Sequence, residues 1–281
     1  MIQIENLDFS YKKRQKLFQG LDLDLPPGSI IGLLGKNGAG KTSLLKLMAG
    51  LLYPDKGNCR VFGKESHLRL PSMLSDLYFL PEEIYAPLLK VSEFVKLYAP
   101  FYPNFSADEF ARHLKEFEIE SNGNLRRMSF GQKKKVLISF SLATNCKLLL
   151  MDEPTNGLDI PSKSQFRRII ASSVSDDRSI IISTHQIRDL GLMIDPVLIL
   201  DKSRFILNRS QDDILKTISF VKANFREEIA DALYVEEAAG MLHAIVPKRE
   251  NVNTLIDIEL LFNAAISSPQ LVELFKTKSH E

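Results

Sequence analysis

The chain has 281 residues, with 36 Lys and Arg against 35 Asp and Glu. That length holds one large domain and a small one, and so even a balance builds no strong field to draw nucleic acid or an anionic membrane. Charged residues at 25% and hydrophobic ones at 44% are those of an ordinary folded protein, and charges interrupt every apolar stretch short of the ~20 residues that a membrane-spanning helix needs.

Met1 to Ser10 alternates apolar and polar residues and carries Glu5 and Asp8, a strand pattern without the apolar core of a signal peptide, so no export of the chain is expected. Leu21, Leu23 and Leu25 give a second strand ending at Pro26-Pro27-Gly28, and the two form a small antiparallel layer. Ser29 to Leu34 is a continuous apolar run, the mark of a buried parallel strand, and a helix follows from Lys41 to Ala49. Cys59 and Cys146 are too few and too far apart for a disulfide framework or a metal cage, and are read as buried thiols. From about 82 to 145 the pattern is helical, with Ser92 capping one helix and Ser106 with Glu109 forming a capping box for the next. Lys147 to Met151, Ser179 to Ser183 and Val197 to Leu200 are short apolar runs separated by helical stretches such as Pro161 to Val174, which predicts an α/β fold with a parallel sheet. Beyond Ser210 come strands at Ser219 to Ala223 and Leu242 to Val246 and a helix from Asn251 to Ala265. The chain thus divides into residues 1–209 and a small α+β C-terminal accessory region, 210–281, which carries no recognisable chemistry. The basic runs Lys12-Lys13-Arg14 and Lys133-Lys134-Lys135 read as solvated faces.

Gly35-Lys-Asn-Gly-Ala-Gly-Lys-Thr42 fits the Walker A pattern of a P-loop NTPase and lies between a buried strand and a helix, as that pattern requires. Glycines let the backbone curl so that successive amides face phosphate oxygens, reinforced by the positive end of the helix. The nucleotide, ATP, is therefore expected on Gly35, Asn37, Gly38, Ala39, Gly40, Lys41, Thr42 and Ser43, with Lys41 on the outer phosphates and the Thr42 hydroxyl on Mg²⁺. Leu148 to Met151 leads into Asp152 and Glu153, two acids at the carboxyl edge of the sheet. Adjacent carboxylates repel, so a cation there explains them: Asp152 holds Mg²⁺, and Glu153 orients and polarises the attacking water.

With these motifs in place the chain resembles the ABC ATPase family, because Met128-Ser-Phe-Gly-Gln132 is similar to its signature loop. Ser129 and Gln132 form a capping box that aims a helix N-terminus and the Gly131 amide outward at an anion. The resemblance covers residues 1 to 209 and implies further roles. Asn156 to Asp159 is similar to the D-loop, with Asp159 at the nucleotide interface; His185 is similar to the switch histidine; Tyr11 is similar to the aromatic that stacks on adenine. Glu82 stands where the family has its Q-loop glutamine and can ligate metal, while Phe130 and Met128 replace the usual glycine and leucine of the signature.

The resemblance implies that two nucleotide-binding subunits, identical or related, sandwich ATP, each site taking Walker A from one chain and the signature from the other, with Glu153, His185, Lys41 and Ser129 as the catalytic set. It implies a cytoplasmic subunit, peripheral on the inner face of the membrane, that drives a separate transmembrane permease and does not bind nucleic acid. The Phe-Gly form of the signature and the short tail are similar to bacterial exporter subunits of the antibiotic-resistance and immunity type. One competing class is a soluble ABC ATPase, whose translation and repair forms carry two cassettes or long coiled coils that the chain lacks; another is a nucleotide-controlled binding or regulatory module with little turnover, which the departures at Phe130 and Glu82 keep open. The aromatic-rich stretch Tyr85, Phe94, Tyr98, Phe101, Tyr102 and Phe105 is expected either to dock the permease or to pack two helices together.

Overall fold

In the computed structural model, residues 1–12, 15–190, 193–238, 240–249 and 255–276 are described. Lys13, Arg14 and the start of the helix expected at Asn251 lie outside them. The order is β1 (Ile2–Lys12), β2 (Gln15–Leu25), β3 (Ile30–Leu34), α1 (Lys41–Met48), β4 (Lys56–Val61), β5 (Lys64–Glu65), α2 (Pro71–Leu74) and β6 (Leu77–Leu80). Next come α3 (Val91–Tyr98), α4 (Ala107–Glu116), α5 (Phe130–Ala143), β7 (Leu148–Asp152), α6 (Ile160–Ser172), β8 (Ser179–Thr184), β9 (Val197–Asp201) and β10 (Arg204–Arg209). The last stretch holds α7 (Gln211–Thr217), β11 (Ile218–Ala223), β12 (Tyr234–Ala238), β13 (Met241–Pro247), α8 (Ile258–Ser267) and α9 (Pro269–Lys276).

The central sheet runs β10-β9-β3-β8-β7-β6, with β9, β3, β8, β7 and β6 parallel and β10 an antiparallel edge. A second sheet, β2-β1-β4-β5, is antiparallel. Because side chains alternate across a strand, Leu148 and Leu150 of β7 enter one apolar core with α1 and the antiparallel sheet, while Leu149 and Met151 enter another with α5 and α6. That second core continues without a break into Leu261, Leu271 and Phe275 of α8 and α9, so the tail packs on the sheet's helical face. Its three-stranded sheet is ordered β11-β13-β12. No helix among the described residues is long and apolar enough to cross a membrane.

Several local expectations are corrected. Ser92 does not cap α3: Lys90 holds the cap position and its N–H donates to Glu93 Oε2 at 2.8 Å, so Ser92 falls inside the first turn. Ser106 caps α4 through the Glu109 N–H, but its own N–H donates to Ala143 O, leaving the Glu109 carboxylate to accept from Asn145. The described part of the expected Asn251 to Ala265 helix begins only at Ile258, where Asp257 accepts from the Leu260 N–H. Strand β6 lay hidden before the helical stretch because its four residues show no alternation. Cys59 and Cys146 are buried free thiols.

Arg178 explains how α5 and α6 are pinned together. It is buried, and its acceptors among the described residues are all neutral oxygens. Its Nη2 donates to Leu142 O at 2.7 Å and its Nη1 to Ser173 O and Asn145 Oδ1 at 3.3 Å, so the guanidinium rests on the negative C-terminal ends of two helices. Replacing Arg178 with Leu strips those acceptors of donors and is expected to cost about 3 kcal/mol, read as a lower urea midpoint with an unchanged slope. Burial also pushes the His113 imidazole from 6.5 down to about 4, with Arg112 adding to the effect and Glu109 opposing it. A folded pKa below the unfolded one favours the neutral ring, so this stability is whole above about pH 6.5 and is lost as pH falls toward 4, by at most about 3 kcal/mol. The variant His113→Leu should therefore show a flatter pH dependence of unfolding across that window than the parent.

Candidate functional site

Strand register brings the expected residues to one edge of the sheet. Leu34, which precedes the glycine loop, pairs with Thr184; Asp152 pairs with Ser183; Leu80, two residues before Glu82, pairs with Met151. The loop between β3 and α1, the acids after β7, His185 after β8 and Glu82 after β6 therefore share the carboxyl end of the sheet, where open α/β sheets bind ligands.

Gly40 closes the loop as the residue before α1 at φ 109°, and a Cβ there would come 2.8 Å from the Phe18 ring. A Cβ on Gly35 would come 2.6 Å from the Leu200 carbonyl, so both positions require glycine. Lys41 is buried, and its ammonium donates to Gly35 O at 2.8 Å and Lys36 O at 3.4 Å and lies 3.6 Å from Glu153 Oε1. Thr42 Oγ1 donates to Asp152 Oδ2 at 2.7 Å, and the other Asp152 oxygen accepts from Ser183 Oγ.

Glu153 sits in the left-handed region at φ 45°. Its Oε1 accepts from the His185 N–H at 3.0 Å and lies 2.8 Å from His185 Nδ1, while its Oε2 is buried without a hydrogen-bond partner. An orphaned carboxylate oxygen on a residue that lines the same cavity as the glycine loop is an acceptor open to a donor. Tyr11 is 62% exposed, and its hydroxyl meets Ser43 Oγ at 2.9 Å, which ties the exposed ring to the start of α1.

These groups line one cavity of about 380 Å³: Tyr11, Asn37, Gly38, Gly40, Lys41, Thr42, Ser43, Glu82 and Glu153, joined by Leu17, which sequence reasoning missed. Gly35 and Ala39 shape the loop from behind. Ser129, Gly131, Gln132 and Asp159 do not line the cavity. Ser129 and Gln132 form the expected reciprocal cap, Gln132 N–H to Ser129 Oγ and Ser129 N–H to Gln132 Oε1, on an exposed helix N-terminus. Asp159 caps α6, and its hydrogen bonds with Ser162 hold its carboxyl below the usual range. Glu82 Oε1 accepts from Asn156 Nδ2 at 2.7 Å, and Asn156 Oδ1 accepts from Gln186 Nε2 at 3.0 Å, so the segments after β6, β7 and β8 are cross-linked.

The basic run Lys133-Lys134-Lys135 is not a solvated face. Lys134 is 0% exposed and its ammonium donates to Glu153 O at 2.7 Å, while Lys135 leans over the Phe117 ring. Burial pushes Lys134 down to about 8 against the pull of Glu82, Glu153 and Asp152. The signal was present in the sequence: Lys134 falls on the helical stripe of Phe130, Ile138 and Ser141.

The residues fit a nucleotide with a divalent cation. A hydroxyl and a carboxylate, Thr42 and Asp152, are hard oxygen donors of the small number that suits an ion keeping most of its water, and no larger acidic or histidine cluster exists among the described residues.

Comparison with known proteins agrees. Residues 18–156 match a family model described as ABC transporter. The chain is 30% identical to the SkfA peptide export ATP-binding protein SkfE of Bacillus subtilis, over 71% of this chain and 85% of that one. It is equally 30% identical to the molybdate import ATP-binding protein MolC of Haemophilus influenzae, over 73% and 80%. A solved ATP-binding subunit of an ABC transporter superposes with a TM-score of 0.67 at 24% identity, covering 76% of this chain and 91% of that one. Since these relatives are matched along most of their length, the chain belongs to the ABC transporter family, as one of its ATP-binding subunits and an ATP hydrolase.

Proposed function

We propose that the chain works as one half of a cytoplasmic clamp on the inner face of the membrane, closing on ATP with a second nucleotide-binding subunit to drive a separate permease. The observation that carries this reading is the split of the site: the cavity holds the glycine loop, Glu153 and Tyr11, while the capped N-terminus of α5 with Ser129 and Gly131 faces solvent outside it. A helix end with free amides binds an anion, so a second chain's outer phosphate is its natural ligand.

In the assembled site Lys41 and the loop amides hold the phosphates, Thr42 and Asp152 hold Mg²⁺, and the Tyr11 ring stacks on the base. The cation supplies charge neutralisation on the phosphates. Glu153, with Oε2 unpartnered, accepts a proton from the attacking water, and His185 steadies Oε1. Ser129 from the opposing chain completes the cage and Asp159 reaches the interface through α6. Glu82, bonded to Asn156, adds an acid near the metal. Release of the outer phosphate removes the anion that bridges the chains, and the clamp opens.

The docking face for the permease is smaller than the aromatic stretch implied. Phe94 is buried and Tyr102 and Phe105 pack around Phe140, so these are core. Tyr85 and Phe101, at 84% and 67% exposed, and the nearby Leu88 and Leu97 leave large apolar groups in water in the segment that follows Glu82. Export is the direction proposed, on the Phe130-Gly131 form of the signature; the two 30% relatives, one named for export and one for import, do not bear on it.

Glu153→Gln is expected to bind ATP, lose at least about a hundredfold in turnover and run on a sizing column as an ATP-dependent dimer with its second subunit. Adding Ser129→Arg should abolish that dimer with ATP affinity kept; normal hydrolysis by Glu153→Gln, or a dimer that survives Ser129→Arg, refutes the reading. Replacing Tyr85 and Phe101 together with Ser should lower co-purification with the permease about tenfold or more while ATP binding is unchanged, and undiminished co-purification rejects this docking face.

A further inference from the structure

A lysine wholly removed from water is rare unless its charge is paired. Lys134 on α5 is such a lysine, and among the described residues it makes no ion pair. Its ammonium instead reaches across to β7 and donates to the main-chain carbonyl of Glu153 at 2.7 Å. That carbonyl belongs to a non-glycine residue at φ 45°, a conformation that needs outside support. Glu153 N–H, on the other side, donates to Ser183 O and Ser183 Oγ at 3.1 and 3.2 Å, so the peptide groups flanking its Cα are gripped from α5 and from β8.

Phe130 covers the lysine. Its ring centroid lies 5.7 Å from the ammonium, within the range of a cation–π contact, and the ring also abuts Gly157, where a Cβ would come 2.8 Å from it. The aromatic at the third signature position is thus half-exposed on one side and, on the other, closes the space above the ammonium.

We propose that Lys134 is a positioning residue for hydrolysis, its ammonium, roofed by Phe130, fixing the left-handed main chain of Glu153 so that Oε2 faces the attacking water. This rests on Glu153 as the base. It assigns Phe130 a second task beyond the signature loop and makes the Lys134–Phe130 pair part of the catalytic apparatus of the same chain.

The structural alternative moves stability; the positioning role does not. Met fills the volume of Lys, and relief from burying a charge offsets the hydrogen bond lost at Glu153 O, so Lys134→Met should change thermal stability little and keep the affinity for ATP within about twofold, while kcat falls about ten- to hundredfold. Lys134→Gln, which keeps an N–H donor on a shorter stem, should recover part of that loss. Phe130→Leu keeps cover without a π face: it should lower kcat several-fold in the parent and add nothing in Lys134→Met. Unchanged kcat in both Lys134 variants overturns the proposal, as does a fall in kcat matched by falls in stability and ATP affinity; additive losses in the double variant overturn the role of Phe130. Glu153→Gln run in parallel separates the two readings. If it still hydrolyses, the base assignment fails; if it is inactive while Lys134→Met is normal, only the present inference fails.

Discussion

Everything at the site hangs on the placement of one carboxylate. Glu153 follows the last residue of β7 and must turn its side chain back toward the glycine loop, which the left-handed backbone at φ 45° accomplishes. That geometry costs roughly 1–3 kcal/mol for a residue with a Cβ, and groups from four different places offset it: Ser183 in β8, His185 just beyond it, Lys41 at the start of α1 and Lys134 in α5. The strain persists because the surrounding elements over-determine it.

The sheet order makes this convergence possible. With β3 beside β8 and β8 beside β7, the loop that grips phosphate, the segment that carries His185 and the strand that delivers Asp152 and Glu153 are nearest neighbours at one edge. Helix α5 does not belong to that edge by sequence, yet it crosses behind it. Its first turn presents Ser129 to solvent, and its second turn inserts Lys134 under Glu153. In the proposed clamp, one helix would therefore carry both the group that addresses a partner's nucleotide and the group that holds the backbone of Glu153.

Legibility in the sequence followed how local the governing interaction is. The phosphate loop, the paired acids and the Ser129–Gln132 cap were readable because each is written in consecutive residues whose chemistry and backbone demands coincide. Lys134 was misread because a basic triplet has the composition of a wet surface, and only the helical phase, together with a carbonyl 19 residues away, places its ammonium inside. Arg178 was invisible for the same reason: its partners are the ends of two helices that become neighbours only in the fold. The aromatic stretch divided between core and surface because Phe140, on another helix, claims Phe94, Tyr102 and Phe105 and leaves Phe101 outside. Strand β6 and the true start of α8 depended on pairing with β7 and on the Asp257 cap, neither of which periodicity alone can locate.

The balance of charge gives the arrangement its logic. Glu153 and Glu82 line the cavity, Asp152 lies behind Thr42, and Lys41 and Lys134 are the buried ammonium groups among the described residues that answer them. The two cations are not equivalent. Lys41 sits inside the phosphate loop, 3.6 Å from Glu153 Oε1, so phosphate oxygens compete with the carboxylate for it. Lys134 holds a carbonyl on the far side of the same residue, out of reach of any ligand in the cavity. On the proposed reading, nucleotide draws Lys41 away from the carboxylate, while the backbone that aims it stays gripped by Lys134. Contact with the substrate and support of the Glu153 backbone are, on that reading, given to different lysines, and of the two only Lys41 lines the cavity.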